Sequence, residues 1–204
     1  MLVAGSTLDG EEAMLVEMFR QVLPRYPKAV MVLAPRHPER FDVVAALLEL
    51  SGLRYQRRSQ WKAGRPTAGD VFLLDSIGEL ASLYEFAEVA FVGGSLVPRG
   101  GHNVLEAAQF GTPILVGPYT ENFRDIVDVF RDADALRVVT PQSLTATVLQ
   151  LLEDPDERAA LGRRAFEVLR SQRGATERTV SALLELLAEQ GALGRAEMIS
   201  ERRV

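Results

Sequence analysis

Short, continuously apolar runs alternate along this chain with stretches whose apolar residues recur at helical spacing, and few folds satisfy both patterns. A strand that is apolar at every position has to be covered on both faces, and helices crossing back over the sheet provide that cover. The apolar runs fall at residues 2–5, 29–34, 71–74, 89–92 and 114–116, with a further short strand at 137–139 and a candidate one at 53–57. Helical patterns occupy 8–23, 39–51, 77–87, 103–110, 122–132, 142–152, 157–171 and 175–188. The order predicts an α/β fold, a Rossmann-like doubly wound parallel sheet, whose ligands bind outside the carboxyl ends of the strands. Residues 58–69 show no periodicity and read as a surface loop around Trp61.

At 204 residues one domain with a sizeable core is the simpler expectation, placed at 1–190 with a polar tail at 191–204. With 23 basic and 28 acidic side chains the formal charge is -5, which offers no broad basic face for a polynucleotide, so no nucleic-acid partner is expected. Cysteine is absent, which removes disulfides, thiolate nucleophiles and cysteine zinc sites and fits a reducing, cytoplasmic compartment. The two histidines, His37 and His102, lie in separate motifs, so no metal site and no cofactor is expected. No run approaches the roughly 20 apolar residues of a membrane helix, and the reading is a soluble chain. Met1 leads directly into a strand pattern, from which a preceding segment in the native gene is expected.

The densest chemical cluster runs from Gly93, Gly94 and Ser95 through Arg99, Gly100 and Gly101 to His102 and Asn103, four glycines within nine residues. It follows an apolar strand and opens a helix. Glycines there let backbone N–H groups approach a ligand, and the helix start adds orphan donors, so the loop reads as an anion cradle. It is neither the dinucleotide fingerprint nor a P-loop, because the glycine spacing is wrong and the lysine is missing. Glu106, three residues after Asn103, admits two readings: a carboxylate accepting both hydroxyls of a ribose, or the capping partner of Asn103.

Three further loops should emerge on the same sheet edge. Ser6 and Thr7 end the first strand, where Ser6 is either a helix cap or a ligand contact. Arg36 and His37 end the second within a rigid Pro-Arg-His-Pro turn, a permanent cation beside an adaptable donor or acceptor. Asn122 follows a later strand in the motif 117–123 and is either a cap or a cleft residue.

With these residues in order, the chain resembles the C-terminal domain of the Kdo transferases, GT-B glycosyltransferases that move 3-deoxy-D-manno-octulosonic acid (Kdo) from CMP-Kdo onto lipid A precursors. The resemblance covers residues 2–188 and rests on the glycine motif through Glu106, on 4–7 with Gly10, Glu11 and Glu12, and on 34–40. Val104 and Ala107 depart from it where proline is more usual, and Tyr119 where histidine is common. It implies that Arg36 and His37 border the nucleotide, that Ser95 and the 93–101 loop receive its phosphate, that Glu106 holds the ribose and that Asn122 faces the cleft. It further implies that the lipid A precursor binds to, and the catalytic base belongs to, an N-terminal half that this chain lacks, with the full enzyme at the cytoplasmic face of the inner membrane. The alternatives are another GT-B enzyme using a UDP-sugar and a non-catalytic nucleotide-binding interaction domain. Should the chain turn over alone, Glu11, Glu12 and Glu121 are the first bases to examine.

Overall fold

The computed structural model describes residues 1–62 and 69–172 together with Leu184 and Leu186. It divides into two compact units, 1–168 and 169–204. In the second unit the described residues, 169–172, 184 and 186, are helical, and the rest of the expected helix over 175–188 and the tail lie outside the described residues.

Seven strands of the larger unit form one sheet in which all six pairings are parallel. They are β1 (Leu2–Thr7), β2 (Met31–Pro35), β3 (Tyr55–Arg57), β4 (Val71–Leu73), β5 (Val89–Val92), β6 (Ile114–Val116) and β7 (Arg137–Val138), in the order β3-β4-β2-β1-β5-β6-β7. Every residue of β2, β4, β5 and β6 is buried, whereas the edge strands β3 and β7 are mixed in polarity and partly exposed. That gradient is the sequence pattern expressed in space: continuous apolar runs take the centre, and mixed runs take the rims.

Alternate residues of each strand serve different faces. Leu2, Ala4, Met31, Leu33, Val71, Leu73, Val89, Phe91 and Leu115 pack with Leu15, Met18, Phe19 and Val22 of α1 (Glu11–Val22), with Val44 and Leu48 of α2 (Phe41–Ser51) and with Leu144 and Val148 of α6 (Leu144–Glu153). Their strand neighbours Val3, Val32, Phe72, Ala90, Val92, Ile114 and Val116 are equally buried from the other side. The doubly wound arrangement is thus borne out, and each fully buried Leu, Val or Phe contributes about 1.5–3 kcal/mol to it.

The helices are shorter than the periodicity suggests, for local reasons. α1 starts at Glu11 because Gly10, at φ 91°, lies outside helical backbone. The pattern over 77–87 resolves into a left-handed Gly78, the single turn α3 (Leu80–Leu83) and a 3-10 turn Tyr84–Phe86. After the glycine loop only α4 (Leu105–Ala108) is helical, and α5 (Arg124–Asp132) follows a 3-10 turn Glu121–Phe123. The 58–69 loop needs correction in its first part. Arg58–Gln60 is a 3-10 turn pinned when the Ser59 N–H and hydroxyl donate to Asp75, and half-buried Trp61 packs edge-on against Phe72 at 5.8 Å. Residues 63–68 lie outside the described residues.

Candidate functional site

The end of β1 carries unusual backbone. Ser6 is a non-glycine residue at φ 53°, and pairing with β2 slips there, so that Gly5 faces Ala34 and Thr7 faces Pro35. Left-handed backbone costs a residue with a side chain on the order of 1–3 kcal/mol and persists only where its surroundings impose it. The surroundings are identifiable. A Cβ at Gly93 would overlap the Ser6 carbonyl, and one at Gly5 would overlap the Tyr84 hydroxyl, so both glycines let neighbouring segments press against the bulge.

The bulge opens into a cleft of about 350 Å³ lined by Ser6, Arg36, Gly78, Leu80, Ala81, His102, Asn103, Glu106 and Phe123. A smaller hollow of about 80 Å³ shares Ser6, Arg36, Gly78 and Leu80 with it and runs on to Ser76 and Ile77. The cleft sits where β1 lies between β2 and β5, the point at which the strand order reverses and a crevice forms beyond the strand ends. Five of the residues singled out in the sequence, Ser6, Arg36, His102, Asn103 and Glu106, therefore meet in one place.

The cleft is lined by groups of both signs. Arg36 is exposed and enters no ion pair or side-chain hydrogen bond among the described residues. His102 is half-buried, and burial, reinforced by the charges of Arg36 and His37, holds its imidazole below the ordinary histidine range. Glu106 is exposed, and its negative charge adds to the burial that pushes the Tyr84 phenol well up. Asn103 Oδ1 accepts the Leu105 N–H at 3.0 Å, while no hydrogen bond runs from Glu106 back to Asn103 or Val104, so the capping reading of Glu106 fails.

The glycine loop corrects the sequence reading most. Its cradle is already filled from within the protein: the fully buried Glu11 carboxylate accepts the N–H groups of Gly94, Ser95 and Leu96 at 2.7–2.9 Å and that of Leu8 at 2.9 Å. Ser95 cannot receive a phosphate, because its hydroxyl is buried, donates to the Val92 carbonyl at 2.6 Å and accepts the Gly117 N–H at 2.8 Å. Gly93, Gly94, Gly100 and Gly101 shape the loop instead: Gly94, Gly100 and Gly101 are left-handed, a Cβ on Gly94 would crowd the His102 ring, and Gly100 leaves room for the Asn122 amide. Asn122 is not a cleft residue. Its amide donates to the Arg99 carbonyl at 3.1 Å and its N–H to the Gly100 carbonyl, and Phe123 lines the cleft in its place. Thr7 is fully buried and also outside the cleft, and exposed His37 is not a lining residue either, although its charge reaches His102.

Residues 14–168 match the family of glycosyl transferases group 1. The chain belongs to that family. It is 40% identical over 187 residues to the 3-deoxy-D-manno-octulosonic acid transferase of Haemophilus influenzae, covering 91% of this chain and 43% of that one, and 39% identical over 190 residues to the Bordetella pertussis transferase, covering 91% and 44%. The chain thus spans less than half the length of these curated relatives. It also superposes on the C-terminal CMP-Kdo binding domain of WaaA from Acinetobacter baumannii with a TM-score of 0.77 and 37% identity, over 82% of this chain and 88% of that one.

In this group 1 domain the acidic residues near the cleft divide by burial. Glu11 is saturated with N–H donors, and Glu12 is held by Arg40 at 3.2–3.3 Å, with Arg40 also reaching Asp9 at 2.8 Å. Burial raises the Glu12 carboxyl despite that pairing. Neither is free to take a proton from an acceptor, and exposed Glu121, two residues before the lining residue Phe123, is not itself a lining residue. The sequence reading missed Gly78, Leu80, Ala81 and Phe123. Gly78 gave a turn signal within an otherwise helical pattern, but nothing local shows which loop its neighbours face.

Proposed function

We propose that this chain is the donor-binding domain of a Kdo transferase, which holds CMP-Kdo in the cleft while Kdo passes to a lipid A precursor in lipopolysaccharide core biosynthesis. The observation that carries the reading is the unpaired Arg36, His102 and the unpartnered Glu106 carboxylate lining one cleft at the reversal point of a sheet that superposes on a CMP-Kdo binding domain at 37% identity. Arg36 and His102 face the phosphate and stabilise its charge as the sugar leaves, and Glu106 accepts ribose hydroxyls. The base that deprotonates the acceptor hydroxyl comes from a second, acceptor-binding domain, and the complete enzyme works at the cytoplasmic face of the inner membrane. Among the described residues no helix is long and apolar enough to cross a membrane.

The chain alone is expected to bind CMP weakly and to transfer no Kdo, because a cleft open on one side leaves the phosphate partly in water. Calorimetry with CMP and a transfer assay with CMP-Kdo and lipid acceptor test both halves. Absence of CMP binding at millimolar concentration would remove the donor reading, turnover by the chain alone would remove the division of labour, and tighter binding of UDP than CMP would favour a UDP-sugar enzyme.

His102 also sets a pH dependence. Its imidazole is neutral in the free protein at neutral pH, since burial lowers its protonation range. A bound phosphate places negative charge beside it and offsets Arg36, which raises that range in the complex. Binding therefore takes up a proton, and affinity should rise as pH falls through the complex range and level off below the free range. Calorimetry across pH 5 to 8 should show this extra rise in the wild type and not in His102→Gln. Parallel profiles for the two proteins would place His102 outside phosphate recognition.

A further inference from the structure

We infer that Glu11, which lines no part of the cleft, is a positioning residue for the donor: its carboxylate sets the loop that presents His102 and Asn103 to the ligand. This rests on the donor reading above. The side chain is fully buried and enters no ion pair among the described residues. A carboxylate without a counter-cation is tolerated in such a place only when its lone pairs are filled, and four backbone N–H groups fill them here. Three of those donors lie 83 to 85 residues away along the chain, so the contact ties the β1–α1 loop directly to the loop after β5.

What the carboxylate holds is what the cleft needs. Gly94, gripped through its N–H, accepts the Gly101 N–H at 2.8 Å, and a Cβ on it would lie 2.9–3.0 Å from the His102 ring, so the imidazole rests on this glycine. Ser95, gripped likewise, accepts the Tyr119 N–H through its carbonyl at 3.0 Å and the Gly117 N–H through its hydroxyl. The loop that ends at Phe123 is thereby set from the same point. Because these N–H groups are spent on Glu11, the donor phosphate depends on side chains, above all Arg36 and His102, whose placement matters correspondingly more.

Glu11→Gln keeps the length of the side chain but loses the charge and turns an NH₂ group toward N–H donors. The test compares wild type and E11Q at a temperature where near-ultraviolet circular dichroism shows both folded. It follows the amide signals of Gly94, Ser95 and Leu96 and the His102 ring signals by NMR, and CMP affinity by calorimetry. The expected result is displaced loop amides, shifted His102 signals and CMP affinity at least tenfold weaker in the folded variant. Displaced amides and a lower melting temperature with unchanged His102 signals and unchanged affinity would make Glu11 a structural residue only and overturn the inference. If the wild type does not bind CMP, the donor reading falls, while the His102 signals of E11Q still decide whether Glu11 sets that ring. If E11Q does not fold, hydrogen exchange of the wild type decides. Coupling between cleft and carboxylate requires CMP to slow exchange at residues 94–96 at least tenfold, and no slowing would overturn it.

Discussion

Gly117→Ala is expected to lower the melting temperature by about 5–10 °C and to abolish measurable CMP binding. The added Cβ would overlap the Ser95 carbonyl and crowd the Leu96 nitrogen, which are backbone atoms and cannot rotate away. Nor can that backbone shift as a unit, since Glu11 grips the Ser95 and Leu96 N–H groups and the Ser95 hydroxyl joins Val92 to Gly117. Overpacking of this kind costs about 1–3 kcal/mol, and roughly 2–4 °C is lost per kcal/mol in a domain of this size. Gly52→Ala is the control: it is left-handed at φ 72° but meets nothing within 4 Å, so its cost is confined to about 1 kcal/mol of backbone strain. Thermal melts with calorimetry check the pair, and a Gly117→Ala protein that melts with the wild type would mean the two loops can separate.

Glu106→Ala is expected to weaken CMP binding at least tenfold while leaving the melting temperature within about 1 °C of wild type, since exposed side chains without partners contribute little to stability. The carboxylate is exposed and takes no part in capping α4, whose nearby side-chain bond comes from Asn103. Its charge-assisted bonds to ribose hydroxyls would be worth roughly 1.5–3 kcal/mol each, enough for the tenfold loss even if only one forms. Normal CMP affinity combined with a melting temperature lowered by several degrees would show that Glu106 stabilises the helix start and does not hold the ligand. The two variants separate the cleft wall from its scaffold: one should lose binding with the fold intact, the other both together.

Fold class was legible because strand burial leaves a direct trace. Val71 to Leu73 or Ile114 to Val116 can be apolar at every position only if both faces are covered, and parallel pairing with crossing helices is how a chain covers them. Ser6, Arg36, His102, Asn103 and Glu106 were legible for a related reason, since once strand direction is known the residues just past each strand end must share an edge. Helix lengths were less legible. Positive φ at Gly10 and Gly78 ends helical backbone whatever the apolar spacing beyond them, and which glycines adopt it depends on what presses against them.

The chain by itself therefore determined the layering, the direction of the strands and which loops gather at one edge, because those follow from periodicity and burial. Tertiary structure decided what each polar group in those loops does. Glu11 reads locally as an acid complementing the start of α1, and Gly94 to Leu96 read as free donors awaiting an anion. Folding brings the two together across more than eighty residues, and the N–H groups donate to the protein's own carboxylate. The same folding retires Ser95 and Asn122 into the scaffold and brings Phe123 into the cleft. Hydrogen-bond partners over such distances depend on the packing of the whole sheet, and local sequence carries no record of them.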